Sequence, residues 1–274
     1  MPDMIQSKEL FGKPPRLRPE QFQFVRYRVD GPVARLTLHR PEHNLLNEAM
    51  LRELADGVGS LTEQSSVKLV VIDADGNAFS GGVDIGEYTA ERAFSMLDAF
   101  HAACIAMVEA PQPVLVVVDG PAIGGGAELI AYGDLVIATP RARFALPEIT
   151  IGVFPPLAST MFPHIIGPKR ALELVLTGEA ISAERALELG LVNRLVSEAQ
   201  LPTAVNDLIS KITAQSGAVL GMAKKAVIAG MGVSLREALR NSMSIFLNEL
   251  YRLEDSQEGL RALIEKRKPE WKNR

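Results

Sequence analysis

The sequence predicts an α/β core followed by an all-helical tail, and three observations carry that reading. Short apolar runs rich in β-branched residues recur at 67–72, 114–118 and 135–137, as in strands covered on both faces. Segments with helical apolar spacing separate them at 48–63 and 89–110, and such alternation is the mark of an α/β sheet. From about residue 200 every periodic segment has helical spacing. No Gly/Ser linker marks the change, so the tail is expected to pack on the core or on a neighbouring subunit. The division expected is an N-terminal arm over 1–20, a core over 21–200 and a helical region over 201–274.

Taken in order, residues 21–29 alternate aromatic and polar side chains and read as a strand. Asp30-Gly31-Pro32 turns the chain, and Val33, Leu36 and Leu38 continue into a second strand, which makes a hairpin. Asn47 is placed to cap a helix over 48–63 whose apolar face holds Met50, Leu51, Leu54, Val58 and Leu61. The segment 89–110 aligns Phe94, Leu97, Phe100, Cys104, Ile105 and Val108. Beyond Gly167 the reading is short helices at 169–176 and 183–189, a strand at 191–196, and helices at 201–213, 218–229, 235–251 and 256–268. Apolar residues of the last two, among them Ile245, Phe246, Leu247, Leu250, Leu260 and Leu263, exceed one thin stripe. They imply either a contact within the chain or a subunit interface.

Composition narrows the function. The 274 residues carry a net charge of −4 with both signs interspersed, so no nucleic-acid footprint is present. Cys104 is the single cysteine. It excludes an intrachain disulfide and a Cys-based metal site, and its apolar helical setting reads as that of a small buried hydrophobe. The four histidines lack metal-ligand spacing. Neither a metal nor a cofactor is expected. No apolar run has transmembrane length, and residues 1–20 hold no apolar core segment. They read as a flexible or docking arm, and the expected setting is reducing cytoplasm.

The chain is organised around the stretch from Pro113 to Glu148. After the strand at 114–118 come Gly124, Gly125 and Gly126, then a short helical pattern through Leu129, Ile130 and Tyr132, then the strand at 135–137. A glycine-lined loop thus enters a helix N-terminus, where N–H groups lack intrahelical partners and can face an anion. A dinucleotide loop is excluded because Leu129 stands where a third glycine belongs. Glu128, in the first turn, would repel a pyrophosphate. It suits a site where a small oxyanion forms beside a proton-transfer group, although a first-turn acid also simply complements the helix dipole.

Two more stretches bear on chemistry. Phe79-Ser-Gly-Gly-Val-Asp-Ile85 has paired glycines that permit close backbone approach. Ser80 there has no Gly-x-Ser-x-Gly elbow and no assignable triad partner, so it does not read as a nucleophile. Glu148 follows Pro147 and sits among Leu146, Ile149, Ile151, Val153 and Phe154. An acid in apolar surroundings has a raised pKa, as a general acid requires, while a loop glutamate is ordinarily just solvated.

Phe79-Ser-Gly-Gly-Val-Asp-Ile85, Gly124-Gly-Gly-Ala-Glu128 and Phe144-Ala-Leu-Pro-Glu148, in that order, resemble the crotonase (enoyl-CoA hydratase/isomerase) superfamily. The similarity continues through Leu176-Thr-Gly-Glu-Ala-Ile-Ser to Gly190-Leu-Val-Asn and ends in Glu265-Lys-Arg-Lys-Pro269. The resemblance implies a spiral of ββα turns with a helical C-terminal trimerisation region, and homotrimers that pair into homohexamers. It implies an acyl-CoA thioester substrate and an oxyanion hole made by the backbone N–H groups of Gly81 and Gly125. It also implies two catalytic glutamates, Glu128 activating water and Glu148 transferring the proton. Substrate contacts are implied at Leu45, Ser80, Gly82, Val83, Asp84 and Gly124, with CoA against the loop from Pro41 to Leu46 and Lys266 near its 3′-phosphate. Retention of both glutamates points to a hydro-lyase rather than to double-bond shifting or a catalytically dead binder.

Where the family is Gly-rich after the second glutamate, this chain reads Phe154-Pro-Pro-Leu-Ala-Ser-Thr160. A stiff wall including Pro155 and Leu157 would suit a flat ring. This segment, Gly82-Val-Asp-Ile and the helix expected over 88–101 resemble the alicyclic hydratases that add water to a cyclic conjugated dienoyl thioester. A general short-chain enoyl-CoA hydratase and a crotonase-type isomerase are the alternatives.

Overall fold

A computed structural model describes residues 16–274 apart from Tyr88 and Ala90. Most of the expected N-terminal arm, and Tyr88 in the expected helix, lie outside the described residues. The strands are β1 (Val25–Asp30), β2 (Val33–Leu38), β3 (Leu69–Ala74), β4 (Val114–Val118), β5 (Ala122–Ile123), β6 (Leu135–Ala138), β7 (Arg143–Ala145), β8 (Ile181–Ser182) and β9 (Arg194–Leu195). The helices are α1 (Glu48–Gly59), α2 (Ala93–Glu109), α3 (Gly125–Ile130), α4 (Pro156–Ile166), α5 (Pro168–Thr177), α6 (Ala183–Leu189), α7 (Leu201–Thr213), α8 (Gly217–Ile228), α9 (Leu235–Asn248) and α10 (Glu254–Ile264).

The main sheet has the order β1-β2-β3-β4-β6-β9, and a small sheet has the order β5-β7-β8. β1 and β2 are the expected antiparallel hairpin, and the remaining main-sheet pairs are parallel. β4 shows why its sequence is apolar throughout. Val114, Val116 and Val118 join a cluster with Leu54 and Val58 of α1 and Phe100 and Met107 of α2. Leu115 and Val117 point the other way, joining Leu69, Val71, Ile137 and Val205 and Leu208 of α7. Alternate residues of one strand therefore need two covers, and α7 supplies the second.

Local chemistry sets the ends of the elements. Asn47 caps α1 by accepting from the Met50 N–H at 2.9 Å. The strand expected over 21–29 starts only at Val25. Residues Pro19–Gln21 form a 3-10 turn, and the buried Glu53 carboxylate accepts from the N–H groups of Gln23, Phe24 and Val25 at 2.8, 2.8 and 2.9 Å. α2 starts at Ala93 rather than near 89, and the segment 191–196 pairs only at Arg194–Leu195. Four elements escaped the sequence reading, the short strands β5, β7 and β8 and the helix α4. α4 begins with Pro156 in its first turn, a position where the missing N–H costs nothing.

The helical region is tied to the core by more than α7. The Lys224 ammonium of α8 lies 2.7 Å from Asp134 and donates to the carbonyls of Met107 (2.7 Å) and Gln112 (3.3 Å). Asp134 also accepts from the Val114 N–H at 2.7 Å. Asp255 of α10 takes the amides of Lys272 and Asn273 at 2.6 and 2.8 Å, which holds the C-terminal residues in place. On the outer side, Ile245 is buried, but Leu235, Phe246, Leu247, Leu260 and Leu263 are exposed. Burial lowers the Lys224 pKa and raises that of Asp134, and each is opposed by its partner. Removing one member strands the other, so Lys224→Met should lower unfolding stability by about 3 kcal/mol. Urea unfolding at fixed protein concentration tests this, and the additional change Asp134→Asn should restore part of the loss.

Candidate active site

The loops that leave β3 and β4 meet the 3-10 turn Pro147–Ile151 around a cavity of about 450 Å³. Gly124 makes the approach possible. Its φ is +51°, which disfavours a side chain, and a Cβ there would stand 2.5 Å from Oε1 of Glu148, so the carboxyl would have to move. The Gly124 N–H donates to the carbonyl of Ala145 at 2.8 Å, which joins the glycine loop to β7 and to the turn carrying Glu148. α3 then begins at Gly125, which places Glu128 in its first turn. The expected strand–glycine loop–helix is therefore present, with β5 inserted before the glycines.

Glu128 is only 3% exposed. Its Oε1 accepts from the N–H groups of Leu157 (2.8 Å) and Ala158 (2.9 Å), at the start of α4. Burial, helped by the charge of Glu148, pushes its pKa up to about 7 against the pull of those two amides. Glu148 also has a raised pKa because of burial. Its Oε2 is buried and has no hydrogen-bond partner among the described residues. The two carboxyls thus share a cavity but differ in kind: one is held by two donors, and the other has an oxygen free to act.

Of the sequence-predicted residues, Gly81, Gly82, Val83, Gly124, Glu128 and Glu148 line the cavity. One role is corrected. The Gly81 N–H is not available to an oxyanion, because it donates to the carbonyl of His43 at 2.7 Å. The Gly82 N–H is taken by Ser80 Oγ at 3.1 Å. The Val83 N–H has no hydrogen-bond partner among the described residues, and neither has the Gly125 N–H at the head of α3. These two amides come from adjoining loops, since a Cβ on Gly125 would sit 2.8 Å from Val83 Cγ2. A run of small residues in sequence cannot reveal which amide the fold has already used.

Five other expected contacts are absent from the cavity wall, and each is accounted for. Ser80 is fully buried and donates to the Asn44 carbonyl at 2.8 Å. Asp84 is bound to Arg40 at 2.7 Å and to the Gly86 N–H at 3.1 Å. The hydrogen bond from Arg40 holds its carboxyl below the usual range. Leu45 packs against Gly81, and its carbonyl accepts from Arg40 at 2.9 Å. Pro155 caps α4, and Leu157 presents its amide to Glu128 while its side chain packs against the core. The expected stiff wall is instead supplied by Pro147, Val153 and Pro156. Lys266 follows α10 and does not line the cavity.

The sequence reading missed Met96, Leu97 and Phe100 of α2, Ile123, and Thr150 and Ile151 as lining residues. The apolar stripe of α2 was visible, but nothing in it separates residues facing the sheet from those facing a void. Cys104 is 1% exposed. Among the described residues, no group of three or more His, Cys, Asp or Glu is placed to hold a metal ion, and no helix is long and apolar enough to cross a membrane.

A mixed α/β core with one buried and one half-buried carboxyl beside unused amides at one cavity fits the acyl-CoA hydratase class. Residues 28–274 match the family model described as enoyl-CoA hydratase/isomerase. The chain is 32% identical over 247 residues to cyclohexa-1,5-dienecarbonyl-CoA hydratase of Thauera aromatica, covering 89% of this chain and 95% of that one. It is 33% identical over 250 residues to a probable enoyl-CoA hydratase of Bacillus subtilis, covering 89% and 96%. Its fold matches the crystal structure of enoyl-CoA hydratase from Mycobacterium smegmatis with a TM-score of 0.86 and 33% identity, over 91% of this chain and 99% of that one. The chain belongs to the enoyl-CoA hydratase/isomerase family, with the crotonase fold, and is a lyase of the enoyl-CoA hydratase type.

The carboxyl of Glu128 gives a pH signature. Its folded pKa of about 7 lies above the ordinary 4.5, so the native state holds a proton that the unfolded state has lost. That contribution to stability is present at low pH and is lost as pH rises from about 4.5 through 7. Glu128→Gln should therefore gain stability relative to the parent chain between pH 4.5 and 8, by about 3 kcal/mol at most. Denaturant unfolding at both pH values reads the difference.

Proposed function

We propose that the chain hydrates a conjugated enoyl-CoA thioester using Glu128, Glu148 and the amides of Val83 and Gly125, and that its substrate is the cyclic dienoyl ester cyclohexa-1,5-diene-1-carbonyl-CoA. The observation that carries the chemistry is the meeting of two unlike carboxyls and the unused Val83 amide on one cavity, with the unused Gly125 amide next to the lining residues Gly124 and Val83. Glu128 takes a proton from water, and the water oxygen bonds to the β-carbon. The electron pair of the double bond moves to the enolate, whose oxygen the two amides face. Glu148 then gives its proton to the α-carbon. Preorganised N–H donors are each worth about 3 kcal/mol in such sites. The division of roles is the one the family resemblance implies: the two fixed donors offset part of the burial that raises the Glu128 carboxyl, and an acyl group covering Glu148 removes its water and favours the neutral acid. The pair titrates as a unit.

The ring-shaped substrate is supported by the rigid apolar wall of Pro147, Val153 and Pro156 and by the similarity to the Thauera aromatica hydratase. Equal similarity to the Bacillus subtilis relative favours a general short-chain hydratase as the second reading. The assay is hydration of crotonyl-CoA and of the cyclic dienoyl-CoA, followed by absorbance and by product mass. The expected result is preference for the dienoyl ester, with kcat lowered by about 1,000-fold in Glu128→Gln and Glu148→Gln. Preference for crotonyl-CoA would leave the general hydratase. Double-bond shifting without water uptake would leave an isomerase.

The same proposal includes a cytoplasmic homotrimer or a homohexamer made of two trimers. The exposed Phe246, Leu247, Leu260 and Leu263 of α9 and α10 supply an apolar surface for assembly. Light scattering should give three or six times the chain mass, and a monomer at micromolar concentration would overturn this part.

A further inference from the structure

Tyr132 lies just past α3, four residues after Glu128, and is 9% exposed. Its hydroxyl donates to the carbonyl of Leu157 at 3.0 Å. That carbonyl and the Ala158 N–H belong to one peptide unit, which is planar and rigid. The Ala158 N–H in turn donates to Glu128 Oε1 at 2.9 Å, and the Leu157 N–H does so at 2.8 Å. Glu128 and Tyr132 therefore grip the first turn of α4 together, the carboxylate from its N–H side and the phenol from its carbonyl side.

We propose that Tyr132 is a positioning residue for Glu128: its hydroxyl fixes the 157–158 peptide plane and so aims the Ala158 N–H at the carboxylate that activates water. Pro155 and Pro156 stiffen the chain just before this peptide, and the first turn of α4 sets its general direction. The hydroxyl adds a hold on its carbonyl from outside the helix. The consequence for catalysis rests on the role given to Glu128 above; the consequence for its titration does not.

Other ionisable groups facing Glu128 are Glu148 from the 3-10 turn, Cys104 from α2 and Tyr132 itself. Burial raises both Cys104 and Tyr132, which keeps them neutral over the range in which Glu128 titrates. Loosening the Ala158 donor removes stabilisation from the Glu128 anion, so its titration must move to higher pH.

The test is Tyr132→Phe, which keeps the ring. Infrared titration of the Glu128 carboxyl band, assigned by its loss in Glu128→Gln, should move upward by about half a pH unit. Hydration of the enoyl thioester should lose about fivefold in kcat with KM unchanged. Adding Tyr132→Phe to Glu128→Gln should then cost nothing further. 3-Fluorotyrosine at position 132 keeps the hydroxyl and makes it a stronger donor, so it should move the titration the other way. It also serves as the test if Tyr132→Phe does not fold. An unmoved carboxyl titration, or a rise in KM with kcat intact, overturns the proposal. A shifted titration in a protein that hydrates no thioester upholds the positioning and overturns the hydratase reading instead.

Discussion

The site depends on keeping one carboxyl, that of Glu128, buried but not isolated. At 3% exposure it would be a costly group if left alone. Two amides from the start of α4 satisfy one oxygen and leave the other for chemistry. That requirement explains features that look unrelated in the chain. α3 must begin at the glycines, so that Glu128 falls in its first turn. α4 must begin with prolines, so that its first free N–H groups are those of Leu157 and Ala158. Gly124 takes a φ of +51° that glycine adopts without strain, and it lets the second carboxyl lie against the loop.

The main sheet makes these demands compatible. The parallel strands β3 and β4 deliver two loops to the same end, and ligand sites in parallel sheets form beyond the carboxyl ends of strands. One loop brings Val83 and the other brings Gly125. Between them, the backbone of the Asn44 region is a scaffold for the loop after β3. The buried Asn44 side chain donates to the carbonyls of Asp75 and Ala78, its own carbonyl accepts from Ser80, and the neighbouring His43 carbonyl occupies the Gly81 amide. This scaffold fixes the loop after β3 so that Val83, two residues further on, presents the free donor.

The division between family and substrate has a physical basis. Oxyanion donors and paired carboxyls are backbone and first-turn features, common to any member that polarises a thioester, and they place the chain in its family. The rest of the cavity wall is formed by α2 and by apolar residues of the segment from Pro147 to Pro156, which set the shape of the cavity. The similarity is near one third to both a cyclic-dienoyl and a general hydratase.

Much of this was readable from residue order alone. β4, β6, α6 and α7, the hairpin, the Asn47 cap and the strand–glycine–helix unit follow from local period, capping and turn chemistry, which act over a few neighbours. Both glutamates were picked out by the order of the family motifs that hold them, since a first-turn acid and a loop acid are each ordinary alone. Tertiary structure decided the rest. Whether Gly81, Gly82 or Val83 offers the free N–H depends on a carbonyl at His43 and a hydroxyl at Ser80. The placement of Leu157 behind Glu128, and not along the acyl wall, depends on a helix whose two prolines hid it. The anchoring of Glu53, Lys224 and Tyr132 depends on partners 25 or more residues away. Sequence specifies what each residue prefers of its neighbours, but which amide or carbonyl remains unused is set only when distant segments meet.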